Sequence, residues 1–294
     1  MNYYNHRSND RRENNKDMLQ DTLDIFEAGE YTVDGKKVSV KLSKEEQRKV
    51  QVLLPEDMEG IYKKTDLNRE PIKGRCMHGC ENIDSFSCAR KLVQQDPDRR
   101  VLVLNLASSV HPGGGVRKGA TAQEEDLCRK SSLLLSLESL EAGRYYKYNR
   151  NLHSFMGSNA LILTPDVEII KDDRGNLLEE SVVVSVMTCA APRIRDGLEG
   201  LTKQEYKDLI YKRIHTMITA AAYWGYEVLV LGAFGCGAYG NDARLISDLF
   251  YKVLKGFEYN GMKEGDFFRK IEFAVLDKTR DQYNFKEFSR NFSS

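Results

Sequence analysis

Apolar residues recur along this chain at two periods, and the change from one to the other marks its organisation. Between Met18 and Ala28 they fall at Leu19, Leu23, Ile25 and Phe26, one face of an amphipathic helix. Tyr31-Thr-Val-Asp-Gly-Lys-Lys-Val-Ser-Val40 alternates instead around Asp34-Gly35, a two-residue hairpin signal. Ser43-Lys-Glu-Glu46 is a capping box, in which serine and glutamate each satisfy an orphan amide, and it predicts a second helix. All three lie in a polar stretch rich in Asn, Arg, Asp, Glu and Lys. Residues 1–70 therefore read as a mainly helical N-terminal accessory segment without chemistry of its own, packed on a main domain of residues 71–294.

From about Pro71 the periods alternate. Asp84 can cap a helix through Leu92, and the apolar run Arg100 to Leu106 is a buried strand. A glycine loop follows, then a helix from about Gln123 to Leu140. Strands are predicted at Ala160–Thr164, Val167–Ile170 and, after a turn at Asp172–Gly175, Ser181–Thr188. Thr202-Lys-Gln-Glu205 is another capping box, opening a helix with Tyr206, Leu209, Ile210, Ile214, Met217, Ile218 and Ala221 on its apolar face. Glu227–Leu231 is a strand, Gly232–Gly240 a second glycine loop, Asn241 or Asp242 caps a helix through Leu254, and Lys270–Leu276 is the last strand. Strands alternating with helices predict an α/β sandwich, whose ligands bind at strand carboxyl ends, where both glycine loops sit.

Composition narrows the function classes. Lys+Arg and Asp+Glu both number 44, so no global field favours a polyanion or an anionic membrane, and sequence-specific nucleic-acid binding is not expected. No apolar run approaches the roughly 18 residues of a membrane span. The polar start, Met1 to Lys16, has no secretory character, so a cytoplasmic setting is expected. Six scattered cysteines suit a reducing compartment rather than a disulfide scaffold. Cys76-Met-His78-Gly-Cys80, with Cys88 beyond, has a loosely zinc-like spacing. No second Cys/His pair follows at finger-like distance, so these read as reduced cysteines near a helix start, and no metal is expected.

The chemistry concentrates in the two loops. Gly235-Cys236-Gly237-Ala238-Tyr239-Gly240 matches GxGxxG after a strand and before a helix. A dinucleotide fold is nevertheless excluded: the acidic residue expected about 20 positions on is absent, and Asp277, which ends the next strand, comes too late. No Gly-Lys-Ser/Thr closes either loop, which excludes a Walker loop. What survives is physical. Glycines let backbone amides approach a diphosphate, and the following helix start favours its charge. The first loop, His111-Pro-Gly113-Gly114-Gly115 through Gln123-Glu124-Glu125, sets two adjacent carboxylates at a helix start. A diphosphate near these amides would hold a ribose against the glutamates, where a carboxyl group can protonate a leaving glycosidic oxygen.

Gly113-Gly114-Gly115 seven residues before Gln123-Glu124-Glu125 resembles the signature of the poly(ADP-ribose) glycohydrolases, which have a macrodomain fold. Leu104–Gly113, Thr164-Pro-Asp-Val, Ser185-Val-Met-Thr and the loop Gly232–Asp242 resemble the shorter microbial type, over roughly residues 75 to 285. The resemblance implies a three-layer α/β/α macrodomain with a mixed central sheet. It implies an enzyme, without cofactor or metal, that cleaves the ribose–ribose O-glycosidic bond of poly(ADP-ribose) or ADP-ribosylated proteins and releases ADP-ribose. Glu125 would protonate the leaving ribose hydroxyl and then activate water, becoming a competent acid only with substrate bound. Glu124 would orient ribose hydroxyls and Gln123 would fix the catalytic loop. Gly113, Gly114 and Gly115 would let the backbone lie against the distal ribose and diphosphate. Gly235, Cys236, Gly237, Ala238 and Gly240 match the diphosphate loop, Tyr239 stands where an aromatic meets the terminal ribose, and Ser108 stands where many macrodomains bind the distal ribose with asparagine. No tyrosine-bearing clasp of the animal type is evident, which implies exo action at chain termini. A hydrolase of single ADP-ribose units and a non-catalytic ADP-ribose reader are the alternatives, and the intact Gln-Glu-Glu speaks against a reader.

Overall fold

The computed structural model describes residues 3–64, 70–72 and 74–293, with side chains from residue 10 onward. The expected boundary at Pro71 follows directly on 65–69, which lie outside the described residues.

The chain opens with helix α1 (Tyr3–Ala28), longer than its apolar face predicts, and the hairpin β1 (Glu30–Val33) and β2 (Lys36–Ser39). Asp34 and Gly35 both take positive φ, as a tight right-twisting hairpin turn requires. The capping box at Ser43 forms, with Glu46 N–H on Ser43 Oγ and Ser43 N–H on Glu46 Oε2. It opens only a 3₁₀ turn, Glu46–Arg48, not the predicted helix. The reason is tertiary: β3 (Gln51–Leu53) follows at once and pairs with the main sheet. Next come α2 (Pro55–Tyr62), β4 (Met77–Glu81), α3 (Ser85–Gln95) and β5 (Val101–Leu106). Asp84 caps α3 through Ser87 N–H, as expected. The Cys76–Cys80 stretch is an edge strand rather than a helix approach.

The single helix expected over Gln123–Leu140 is two, α4 (Gln123–Lys130) and α5 (Leu133–Leu137), and α6 (Gly143–Asn151) follows beyond the expected end. Ser131 breaks the first because it extends to bridge Ile169, while Ser132 N–H bonds Glu168 carbonyl. The two short strands expected after Ala160 are one, β6 (Leu161–Lys171), whose register shifts between Thr164 and Val167. Pro165 sits in that irregularity, where its missing N–H costs no ladder bond. The chain ends with β7 (Leu177–Cys189), α7 (Lys203–Tyr223), β8 (Val228–Leu231), α8 (Ala243–Lys255), β9 (Glu258–Tyr259), β10 (Met262–Lys263), α9 (Glu264–Phe267), β11 (Lys270–Ala274) and α10 (Tyr283–Phe292).

The central sheet is mixed, seven strands in the order β3-β6-β7-β5-β8-β11-β4, with β7, β5, β8, β11 and β4 parallel. Strand alternation sorts its side chains into two layers. Leu102, Leu104, Leu229, Leu231, Ile271 and Phe273 pack against α7, α8 and α10. Val101, Val103, Val228 and Val230 face α3 and the α4–α6 layer. The architecture is thus a three-layer α/β/α sandwich. Residues 1–70 are not a separate accessory layer, because β3 is an edge strand of this sheet and Leu53, Met58 and Ile61 lie in its core. Glu168 also accepts the amides of Lys41 and Leu42, and Tyr31 donates to Leu178 carbonyl at 2.9 Å.

Candidate active site

A cleft of about 1440 Å³ opens at the carboxyl ends of the parallel strands. Such ends leave loop amides and helix starts unpaired by the sheet, which is why ligands collect there. The loop after β5 forms one wall, with Ser108, Gly114, Gly115, Gln123, Glu124 and Glu125 in its lining. The loop after β8 forms another, with Gly235, Gly237, Ala238 and Tyr239. Three residues expected in the site, Gly113, Cys236 and Gly240, do not line the cleft.

The two glutamates stand in the first turn of α4 and are buried, yet no cation pairs with either among the described residues. Asp126 beside them is different, because Lys130 holds it at 2.7 Å and Arg129 at 3.7 Å. Glu124 accepts Ser108 N–H at 2.7 Å and Asn105 Nδ2 at 3.4 Å. Burial pushes its carboxyl up to about 8. The bonds from Ser108 and Asn105 hold it down and the charge of Glu125 adds to the rise. Glu125 is held on one side only: Gly115 N–H donates to Oε1 at 2.8 Å, and Oε2 is buried with no hydrogen-bond partner.

The triple glycine explains how two carboxylates fit so close to the loop. A Cβ on Gly114, at φ +59°, would stand 2.5 Å from Glu125 Oε1 and 3.0 Å from Glu124 Oε2. One on Gly113 would meet Leu134 at 2.7 Å, and one on Gly115 would meet Ala120 at 2.9 Å. The space these glycines leave is filled by the protein's own groups: the two carboxylates at Gly114, and apolar side chains at Gly113 and Gly115. Gln123 ties α4 to β5 by accepting Leu106 N–H and donating to Leu104 carbonyl, each at 2.8 Å. Ser108 meets Glu124 through its backbone amide, while its hydroxyl accepts Val110 and His111 N–H.

In the second loop Asn241 is the buried anchor. It donates to Pro192 and Gly235 carbonyls at 2.9 Å and accepts from Tyr206. Gly235 takes positive φ where a Cβ would run into Asn241 and Ala191, and Gly240 does so against Arg195. Gly237 and Ala238 are exposed, and Gly237 has open space around it. The Cys236 sulfur turns back to Phe234 carbonyl, and burial pushes its thiol pKa up. Tyr239 reaches Ala107 carbonyl at 3.3 Å, and burial pushes its phenol up to about 12.

Sequence reasoning missed two contributors. Asn105 lies in the run Arg100–Leu106, read as apolar. A polar residue inside a fully buried strand was the available signal, and the structure places it under Glu124 and on Thr188 Oγ1 at 3.1 Å. Helix α1 left no signal of chemistry, yet Arg11, Asn15 and Met18 line the cleft. Asn15 bonds Gly119 carbonyl at 2.9 Å. The cleft lining is mixed in charge: Arg11, Lys118, Arg174 and Lys278 stand in it, but so do Asp84, Glu124, Glu125 and Asp173, and Arg117 is paired with Glu138.

The family described as microbial-type PARG, catalytic domain, matches residues 19–172. Poly(ADP-ribose) glycohydrolase (PARG) from Thermomonospora curvata is 29% identical, covers 95% of this chain and 100% of its own, and superposes with a TM-score of 0.86. The same enzyme bound to the inhibitor ADP-HPD is 30% identical over the same shares, with a TM-score of 0.82. PARG from Deinococcus radiodurans in complex with ADP-ribose is 32% identical, covers 85% of this chain and 96% of its own, and gives a TM-score of 0.75. No curated protein matches the chain significantly. Twin glutamates on a glycine-cradled helix start, the three-layer sandwich around them and these matches agree: the chain belongs to the microbial-type poly(ADP-ribose) glycohydrolase family.

Proposed function

We propose that this chain hydrolyses the ribose–ribose O-glycosidic bond of poly(ADP-ribose), working from the chain end and releasing ADP-ribose. The observation that carries this reading is Glu125, pinned through Oε1 by Gly115 N–H while its buried Oε2 has no partner. A carboxyl held in this way is fixed through one oxygen and leaves the hydrogen-bonding capacity of the other unused by the protein. Its proton passes to the leaving ribose oxygen as the glycosidic C–O bond breaks and an oxocarbenium-like centre forms. Water then adds to the anomeric carbon and returns a proton to Glu125. Glu124, raised to about 8, carries a proton it can donate to a ribose hydroxyl and orients the sugar. Gln123 holds α4 on the end of β5.

Backbone amides of Gly235, Gly237 and Ala238 are assigned to the diphosphate, and Tyr239 and Ser108 to the distal ribose. Gly113, Cys236 and Gly240 shape the two loops from behind. ADP-ribose bound in the Deinococcus enzyme and ADP-HPD in the Thermomonospora enzyme support the same ligand class here. Arg11, Lys118, Arg174 and Lys278 offer individual cationic contacts in a cleft of mixed charge, which suits grip on one diphosphate rather than a field along a polymer. These proton transfers use no cofactor. Among the described residues no helix is long and apolar enough to cross a membrane, and all six cysteines are free, which supports a reducing, cytoplasmic setting.

The test is release of ADP-ribose from polymer-modified and singly modified protein, with Glu125→Gln beside the wild type. The expected result is free ADP-ribose as the first product from polymer only. Glu125→Gln should bind ADP-ribose while turning over about 10²–10⁴-fold more slowly. Equal release from singly modified protein would establish the mono-ADP-ribosyl hydrolase instead. Binding without release from either substrate would leave a reader.

A further inference from the structure

The Cys76-Met-His78 stretch has no part in the cleft, yet the fold completes it from a distant element. Cys76, immediately before β4, and His78 within it are two apart in extended chain and so point to the same side of that edge strand. Glu264, the first residue of α9, arrives on the same face, with Oε1 at 2.8 Å from His78 Nε2. The Cys76 sulfur, the His78 ring nitrogen and the Glu264 carboxylate oxygen all lie within 4.8 Å of one another. Tetrahedral zinc, with bonds of about 2.0–2.3 Å, sets such atoms roughly 3.3–3.6 Å apart. Adjustment of about an ångström closes the set, within the reach of side-chain rotation.

The backbone on both sides is already held. Ile72 N–H bonds Asp266 carbonyl at 2.8 Å and Met77 N–H bonds Arg269 carbonyl at 2.9 Å. Gly265 lies so close to Gly74 carbonyl that a Cβ there would stand 2.7 Å away. Cys76 is buried, whereas His78 and Glu264 keep 29% and 17% of their side chains exposed, which leaves an entry path and room for water as a fourth ligand. A mixed sulfur, nitrogen and oxygen set selects zinc over magnesium or calcium, which favour oxygen alone. Cys80 and Cys88, the other cysteines of the sequence pattern, are not in the group.

We propose that Cys76, His78 and Glu264 bind one zinc ion as a structural clip between β4 and α9. None of the three lines the cleft, so the ion takes no part in glycoside hydrolysis. Its effect is on stability, by holding the start of β4 to the start of α9. On binding, the thiol proton of Cys76 leaves to solvent, and the neutral His78 ring presents its unprotonated nitrogen to the ion. The inference stands apart from the glycohydrolase assignment.

The full chain, stripped of metal, is titrated with Zn²⁺ and desalted, and zinc is counted by plasma mass spectrometry. Co²⁺ is substituted to read a thiolate-to-cobalt absorption band. Alkylation of Cys76 is followed by peptide mass spectrometry with and without zinc. The expected result is one zinc per chain, a cobalt band lost in Cys76→Ser, and affinity lowered by about tenfold or more in His78→Gln and Glu264→Gln. Zinc should raise the melting temperature and slow Cys76 alkylation, while ADP-ribose release is the same with and without chelator. Failure to retain zinc, a cobalt band that persists in Cys76→Ser, or alkylation of Cys76 indifferent to zinc would each overturn the proposal. The alkylation measurement uses wild-type protein and so stands even if Cys76→Ser does not fold.

Discussion

Glu124→Gln separates the burial of the Glu124 carboxyl from every other charge in the protein. In the folded chain this carboxyl titrates at about 8, against 4.5 for an unburied glutamate, chiefly because burial penalises its charged form. The folded state therefore keeps a proton that the unfolded state releases. The stability tied to that proton is fully present below the unfolded value and is lost as pH rises toward and through about 8. Within the window the loss is about 1.4 kcal/mol per pH unit, or about 3 kcal/mol between roughly pH 5 and 7. Glutamine has no such slope. Its carbonyl can still accept Ser108 N–H, and its amide can donate to Asn105 Oδ1 once the Asn105 side-chain amide turns over, since Nδ2 now faces position 124. Urea denaturation of both proteins across this range should show Glu124→Gln gaining on the wild type as pH rises, with little difference at the acid end. Parallel stability curves would refute the reasoning, because burial would then not be what sets this carboxyl.

Two glycine substitutions probe the loop geometry. Gly114→Ala places a methyl 2.5 Å from Glu125 Oε1 at φ +59°, so ADP-ribose release should fall by about 10²-fold through displaced carboxylates, with about 1–3 kcal/mol of destabilisation in denaturation. Gly119→Ala, at φ +72°, drives a methyl into the Arg12 carbonyl of α1. Its expected effect is about 1–3 kcal/mol and faster hydrogen exchange at α1 amides from residue 10 to 18, read by mass spectrometry.

Much of this was legible in the order of residues because local rules operate at short range. Asp84, Thr202 and Asp242 cap helices where their side chains predict, each accepting an amide three residues on. The Asp34-Gly35 hairpin forms because only those residue types tolerate both positive φ values cheaply. Glu46 shows the limit. Its capping box is intact, yet one turn is all that follows, because pairing of Gln51–Leu53 with β6 outweighs helix propensity. Ser131 fails in the same way: a bridge to Ile169 splits a helix whose apolar periodicity runs on unbroken.

The sequence by itself determined the alternation of strands and helices, the two glycine loops at strand ends and the adjacent glutamates at a helix start. These are set by neighbours a few residues apart, through periodicity, caps and φ preferences. Tertiary structure alone decided which of the two adjacent glutamates is buried deeper, that Asn105 holds it, and that α1 walls the cleft. It also brought Glu264 to Cys76 and His78 across most of the chain. Burial and long-range hydrogen bonding depend on what the fold brings from far away, and no local pattern encodes that distance.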